Sequence, residues 1–237
     1  MLYIIGLGLN ELGISLEGKE AVKKCKKVYL DGYTVEFPYS LKKLVKSVGK
    51  KFIVLNREYI ESDRLVLESK KDKVCLLVYG SPLFATTHIS LIDDCRKARV
   101  KVEVIHAGCI FDIIAETGLQ LYKFGKIASM PKWQSHFEPD SFLDLVNENK
   151  KIGAHTLILI DIGLSFKEAM EQLIKAGEKK SIKLDKIVIC SRLGTNQGKI
   201  FYGSINNLKK IKNIKTPFSF IIPGKMHFLE KEILEKF

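Results

Sequence analysis

Short apolar runs rich in β-branched residues recur along the chain. Between them lie segments whose apolar positions fall three and four apart. The runs at residues 2–7, 28–31, 52–55, 74–79, 102–106, 127–130, 156–161, 186–190, 199–202 and 218–222 predict strands, each bounded by Gly, Pro, Asn or charge. The helical spacing predicts helices near residues 16–25, 41–48, 58–69, 87–98, 110–116, 141–149, 166–177 and 226–236. Thr86 and Ser165 stand where N-caps are wanted, and Pro139-Asp140-Ser141 opens a turn into the next helix. Strict strand–helix succession up to His106 argues for an α/β domain over 1–107 with a mostly parallel sheet. Beyond it strands shorten, and 186–190 joins 199–202 through Gly194-Thr-Asn-Gln-Gly198 with hairpin-like spacing. A second α/β domain with a mixed sheet is therefore expected over 108–237.

Composition narrows the class. Of 237 residues 46% are hydrophobic and 28% charged, as in ordinary globular chains. No apolar run approaches the ~20 residues needed to span a bilayer, and Met1-Leu-Tyr-Ile-Ile-Gly6 lacks the basic start of a secretory signal. A cytoplasmic protein is expected, without a membrane partner. Cys25, Cys75, Cys95, Cys109 and Cys190 are odd in number and scattered, with no CxxC pair, so buried free thiols are expected. The net charge of +12 favours acidic partners. Its lysines are not interleaved with aromatics as on a base-stacking platform, so no direct nucleic-acid role is required.

Three glycine-bearing strand ends carry the candidate chemistry, since ligands of α/β sheets sit beyond the carboxyl ends of strands. The first is Gly6-Leu7-Gly8-Leu9-Asn10. It suggests the dinucleotide fingerprint GxGxxG, with Asp31 to grip a ribose, but Glu11 occupies the third glycine position and argues against that reading. The second is Gly80-Ser81-Pro82-Leu83-Phe84-Ala85-Thr86-Thr87-His88, a turn whose backbone N–H groups suit polar ligand atoms. The third is His106-Ala-Gly108-Cys109-Ile110. Cys109 has no evident His or Asp partner and reads as a small residue near a ligand rather than a nucleophile. His106 and His155 adjoin apolar strands and read as satisfied core groups. The five histidines show no ligand spacing, so no metal is expected.

An ordered set of blocks resembles the diphthine synthases. It comprises Met1-Leu-Tyr-Ile-Ile-Gly-Leu-Gly-Leu9, Gly80 through His88, Gly118-Leu-Gln-Leu-Tyr-Lys-Phe-Gly125, Gly153-Ala-His-Thr-Leu-Ile-Leu-Ile-Asp-Ile162 and Ile222-Pro-Gly-Lys225. The resemblance implies the two-domain class III (tetrapyrrole methylase-like) methyltransferase fold, a homodimer, and S-adenosylmethionine bound in a cleft between the domains. Carried across, the cofactor contacts are Leu9, Ser81, Phe84, Cys109, Ile110, Ile160, Leu193 and Phe218. The family usually has Asp where this chain has Ser81, and commonly Pro-Ser where it has Gly108-Cys109. The insertion often seen after the Leu-Asp-Ile strand is almost absent.

The implied activity is methylation of the amine of the 3-amino-3-carboxypropyl group on a histidine of translation elongation factor 2, releasing S-adenosylhomocysteine. No general base is identifiable. A tetrapyrrole methylase and a non-catalytic S-adenosylmethionine-binding relative are the alternatives. Because most carried-over contacts are apolar, Ser81 is expected to act through its backbone, with its hydroxyl bracing the Gly80-Ser81-Pro82 turn.

Overall fold

A computed structural model describes residues 1–237, which form two compact units, Met1–Ile110 and Phe111–Phe237. The division falls three residues beyond the change of pattern in the sequence, so Gly108-Cys109-Ile110 goes with the first unit.

In the first unit five parallel strands form one sheet. They are β1 (Leu2–Gly6), β2 (Lys27–Asp31), β3 (Ile53–Leu55), β4 (Val74–Val78) and β5 (Val102–Ile105), in the order β3-β2-β4-β1-β5. Leu2 pairs with Val74 on one side and Val102 on the other, which places β1 in the interior of the sheet. Alternation along each strand feeds two cores. Leu2 and Ile4 join Leu76, Val78 and the helix α5 residues Leu91 and Ile92, where α5 spans His88–Lys97. Tyr3 and Ile5 join Cys75 and Leu77 on the opposite face, against Ala21 and Val22 of α1 (Leu16–Lys24) and Leu44 of α2 (Leu41–Val48). Each fully buried Leu, Ile or Val contributes about 1.5–3 kcal/mol relative to exposure. Double burial explains why these strands read as continuous apolar runs.

The single helix expected over 58–69 is two, α3 (Arg57–Ile60) and α4 (Arg64–Lys71). Ser62 breaks it: its hydroxyl donates to the Tyr59 carbonyl at 2.7 Å, offering the backbone a local alternative to helix.

The second unit holds β6 (Ala128–Met130), β7 (Thr156–Ile160), β8 (Lys186–Ser191), β9 (Lys199–Ser204) and β10 (Phe218–Ile222), in the order β6-β7-β10-β8-β9. Only β6 and β7 run parallel; the other neighbours are antiparallel. The expected helix at 110–116 is a short turn, α6 (Ile110–Ile113), tightening into a 3-10 turn over Ile114–Thr117. Then follow α7 (Phe142–Lys151), α8 (Phe166–Lys179), α9 (Ile205–Leu208) and α10 (Phe228–Leu234). Ser165 caps α8 in a reciprocal box with Glu168, as expected. The short α9 has too few residues to show a period and was not foreseen. Phe166, Phe218 and Phe220 pack edge-on and tilted at the centre of this unit's core.

Candidate functional site

Connections from β1 to β2 and from β4 to β5 leave in opposite directions along the first sheet. Right-handed crossovers therefore put α1 and α5 on opposite faces, opening a crevice beyond the carboxyl ends of the adjacent strands β4 and β1. Gly8 and Gly80 meet there. The Gly80 N–H donates to the Gly8 carbonyl at 2.9 Å, and the Leu7 N–H donates to the Val78 carbonyl at 2.8 Å. Both glycines have positive φ, 66° and 68°. The third segment closes in from β5. A Cβ on Gly6 would stand 2.7 Å from the Gly80 carbonyl and 2.9 Å from Ala107 Cβ, which excludes any side chain. Cys109 follows, its Cβ 3.8 Å from where a Cβ on Gly80 would be. The structure thus brings Leu9, Ser81, Phe84, Cys109 and Ile110 to one crevice.

Leu9 and Ser81 are the polar resource of that crevice. Their backbone N–H groups make no hydrogen bond within the chain, while their carbonyls accept from Tyr79 Oη at 3.1 Å and from the Phe84 N–H at 3.2 Å. Half-buried Leu9 and Phe84 and buried Cys109 supply apolar surface beside them. The Ser81 hydroxyl makes no bond within the chain either, so it does not brace the turn as expected. The brace is the Pro82 carbonyl, which accepts from Thr86 Oγ1 at 3.0 Å and from His88 Nδ1 at 3.0 Å. Thr86, committed to this bond, is not the N-cap. Thr87 stands at that position and makes no side-chain cap. Ala85, just before them, has φ 54°, a left-handed conformation uncommon for a residue with a Cβ.

His88 also reaches a partner that the sequence did not reveal. Its Nε2 stands 3.2 Å from Asp31 Oδ2, off the line of a good hydrogen bond, with both side chains fully buried. Asp31 in addition accepts from the Tyr33 N–H at 3.0 Å, the Thr34 N–H and the Thr34 hydroxyl at 2.8 Å. A carboxylate so enclosed cannot grip a ribose, which removes the remaining support for the dinucleotide reading. The pair instead ties the end of β2 to the loop that carries Ser81.

In the second unit Ile160, Leu193 and Phe218 lie at one end of the sheet. Phe218 pairs with Ser191, two residues before Leu193, and Ser219 pairs with Leu159, next to Ile160. The Phe218 ring is committed to the core, so this residue has its backbone to offer. Arg192 precedes Leu193 at φ 50°; its Nε donates to the Thr216 carbonyl at 2.7 Å and its guanidinium also donates to Gln197 at 2.6 Å.

Glu230 of α10 organises the rest of this unit. It is buried, and accepts from the Gln120 N–H at 3.0 Å, the His227 N–H at 2.6 Å, His155 Nε2 at 3.1 Å and the Lys123 ammonium. Lys123 donates to the Lys225 carbonyl as well, at 2.8 Å. Burial opposes charge on Glu230, but these donors outweigh it and hold the carboxyl down at about 2. His155 Nδ1 accepts the Gly224 N–H at 2.8 Å, which leaves the ring proton on Nε2, facing Glu230. Burial pushes the His155 ring below the usual histidine range, against the pull of Glu230. The family-like blocks at 118–125, 153–162 and 222–225 all converge here. His155 is the satisfied core group expected of it; His106 is not, being exposed at the end of β5. All five cysteines are buried and free, and no group of three or more His, Cys, Asp or Glu side chains converges as metal ligands would. No helix is long and apolar enough to cross a membrane.

Comparison with known proteins places the chain in a family. Residues 1–209 match the family model described as Tetrapyrrole (Corrin/Porphyrin) Methylases, which sets the class as methyltransferase. A diphthine methyl ester synthase of Yarrowia lipolytica is 34% identical over 267 residues, covering 100% of this chain and 89% of that protein. A diphthine synthase of Methanococcus vannielii is 34% identical over 250 residues, covering 99% and 98%. A crystal structure of diphthine synthase superposes with a TM-score of 0.91 at 31% identity, covering 100% of this chain and 95% of that one. The chain belongs to the diphthine synthase family, within the tetrapyrrole methylases.

Proposed function

We propose that the chain methylates the amine of the 3-amino-3-carboxypropyl group on a histidine of translation elongation factor 2, using S-adenosylmethionine, as a cytoplasmic homodimer. The observation that carries the cofactor reading is the pair of uncommitted N–H groups of Leu9 and Ser81 at the crevice between β4 and β1, set among apolar side chains. That donor set fits a ligand with polar ends and an apolar body. When bound, S-adenosylmethionine supplies an electrophilic sulfonium methyl. Leu9 and Ser81 orient it through their backbones, and Phe84, Cys109 and Ile110 exclude water around it. Ile160, Leu193 and Phe218 are proposed as further contacts, offered by the ends of β7, β8 and β10.

The acceptor needs little activation. An α-amino group with a reference pKa of about 8 is roughly one-tenth neutral at pH 7. Alignment with the methyl group supplies about 7–11 kcal/mol in well-oriented pairs, so no dedicated base is assigned. Intact-mass analysis of the modified factor after incubation with the protein tests this reading. A trimethylated amine is the expected product, and a further methyl on the carboxylate would mark the methyl ester type. Transfer to a porphyrinoid precursor and not to the factor would assign a tetrapyrrole methylase. Cofactor binding without transfer to either would assign a non-catalytic relative.

A further inference from the structure

The chain's positive charge is not evenly spread. Between Asp185 and Glu230 there is no Asp or Glu, while eight of the 39 Lys and Arg residues fall there; the rest of the chain holds 31 basic residues against 27 acidic ones. Most of the net charge of +12 therefore comes from β8, β9, α9, β10 and their connections. Lys199, Lys209, Lys210, Lys212 and Lys215 are exposed, and their ammonium groups enter no ion pair or hydrogen bond. Elsewhere lysines are commonly paired, as with Lys179 and Lys180 around Asp140. Within this segment no neighbouring carboxylate is available to neutralise them.

The segment is also joined to the proposed site. Ser191 pairs with Lys199 across the β8–β9 ladder, and its hydroxyl donates to the Lys215 carbonyl at 2.8 Å. Lys199 and Lys215 thus lie on either side of Ser191, two residues before Leu193 and directly opposite Phe218. Lys209, Lys210 and Lys212 lie on the connection from α9, which starts at the Lys186 end of the β8–β9 ladder, back to Lys215 and β10 at the Ser191 end.

We infer that this strip, from Lys199 through Lys209, Lys210 and Lys212 to Lys215, is the docking surface for an acidic face of the protein substrate. The inference rests on the proposed function for its choice of a protein. Base-stacking is disfavoured: the aromatics of residues 186–217 are Phe201 and Tyr202, both half-buried, and the Tyr202 ring is covered by Lys186 Nζ at 5.2 Å. Charges at the rim of an interface act chiefly on encounter rate and salt dependence. The strip therefore governs capture of the substrate, not the chemical step.

The test is steady-state methylation of the modified elongation factor by the full chain and by a Lys209→Glu, Lys210→Glu, Lys212→Glu, Lys215→Glu variant. KM for the factor should rise at least about tenfold, with kcat at saturation little changed. The affinity for S-adenosylhomocysteine, read by calorimetry, should stay within about twofold, which also reports folding. Should the reversed variant fail to fold, the corresponding Gln variant takes its place. In the unaltered protein KM should climb several-fold as salt is raised from about 50 to about 300 mM. A KM unmoved by both substitutions and salt overturns the docking surface. Binding of an RNA oligonucleotide that is lost in the variant while KM stands would overturn it in favour of nucleic acid. Absence of any methyl transfer by the unaltered protein would instead overturn the proposed function.

Discussion

Ser81 separates two ways of holding a cofactor. If the family's Asp acts through its carboxylate, a Ser in its place would leave a weak grip; if the position acts through its N–H, Ser is an adequate substitute. We favour the backbone, since the uncommitted Ser81 N–H stands with that of Leu9, a residue with no polar side chain to offer. A neutral hydrogen bond contributes about 0.5–1.5 kcal/mol net. Ser81→Ala should thus weaken S-adenosylhomocysteine binding by less than about tenfold, at 1.4 kcal/mol per decade, and Ser81→Asp should change it little. Calorimetry on both variants decides, and a gain of about a hundredfold or more in the Asp variant would show that the carboxylate was the missing grip. Gly6 makes the complementary residue-scale prediction. Its Cβ would press on the Gly80 carbonyl and on Ala107 together, and backbone cannot swing aside as a long side chain can. Gly6→Ala should cost about 1–3 kcal/mol and separate the three loops. Denaturant melts would reveal the loss of stability, and an unchanged midpoint with unchanged cofactor affinity would refute this account of the crevice.

Among the elements, all ten strands were legible because a covered sheet demands apolar runs, and the second sheet has strands as long as the first rather than the shorter ones expected. What the pattern missed was local. Ser62 broke a helix through one hydroxyl, and Thr86 was drawn from its cap by the Pro82 carbonyl. The glycine-bearing loops were legible because close approach leaves a compositional mark. The Asp31–His88 pair was not, for its members are 57 positions apart and meet only through the strand order. Glu230 is the same case: nothing in its neighbourhood announces that Lys123, Gln120 and His155 will converge on it. Removing its charge should be costly, because an amide keeps one acceptor oxygen and turns the other into a donor, set against either Lys123 and the His227 N–H or His155 and the Gln120 N–H. Glu230→Gln is expected to destabilise by about 3 kcal/mol at neutral pH, the worth of holding a carboxyl near 2 rather than 4.5. The sign follows from the depressed value. The contribution is complete above the unfolded carboxyl's range and is lost as pH falls from about 4.5 toward 2. The depressed His155 ring acts earlier in the same direction, since below about 6.5 the unfolded chain takes up a proton that the folded ring resists. Urea midpoints of the unaltered and Glu230→Gln proteins should therefore converge on acidification, and a gap that stays constant down to pH ~3 would contradict the ion-pair account.

At the scale of the whole molecule, charge and apolar surface make opposite demands. The family resemblance implies a homodimer, and the first sheet leaves its edge strand β3 open with Ile53 and Val54 at 63% and 50% exposure. Open apolar edges invite pairing, but two copies each carrying +12 repel one another. That repulsion is screened over a Debye length of about 10 Å at 0.1 M salt, whereas apolar burial is not weakened by salt. Self-association should consequently tighten as salt rises from about 50 to about 500 mM. The capture of an acidic protein partner should loosen over the same range, because there salt screens an attraction. Light scattering across a concentration series at both salt levels measures the first effect, and the KM of methylation measures the second. A monomer at every concentration and both salts would dispose of the homodimer. A dimer that dissociates on adding salt would show that opposite charges, not apolar contacts, hold the copies together.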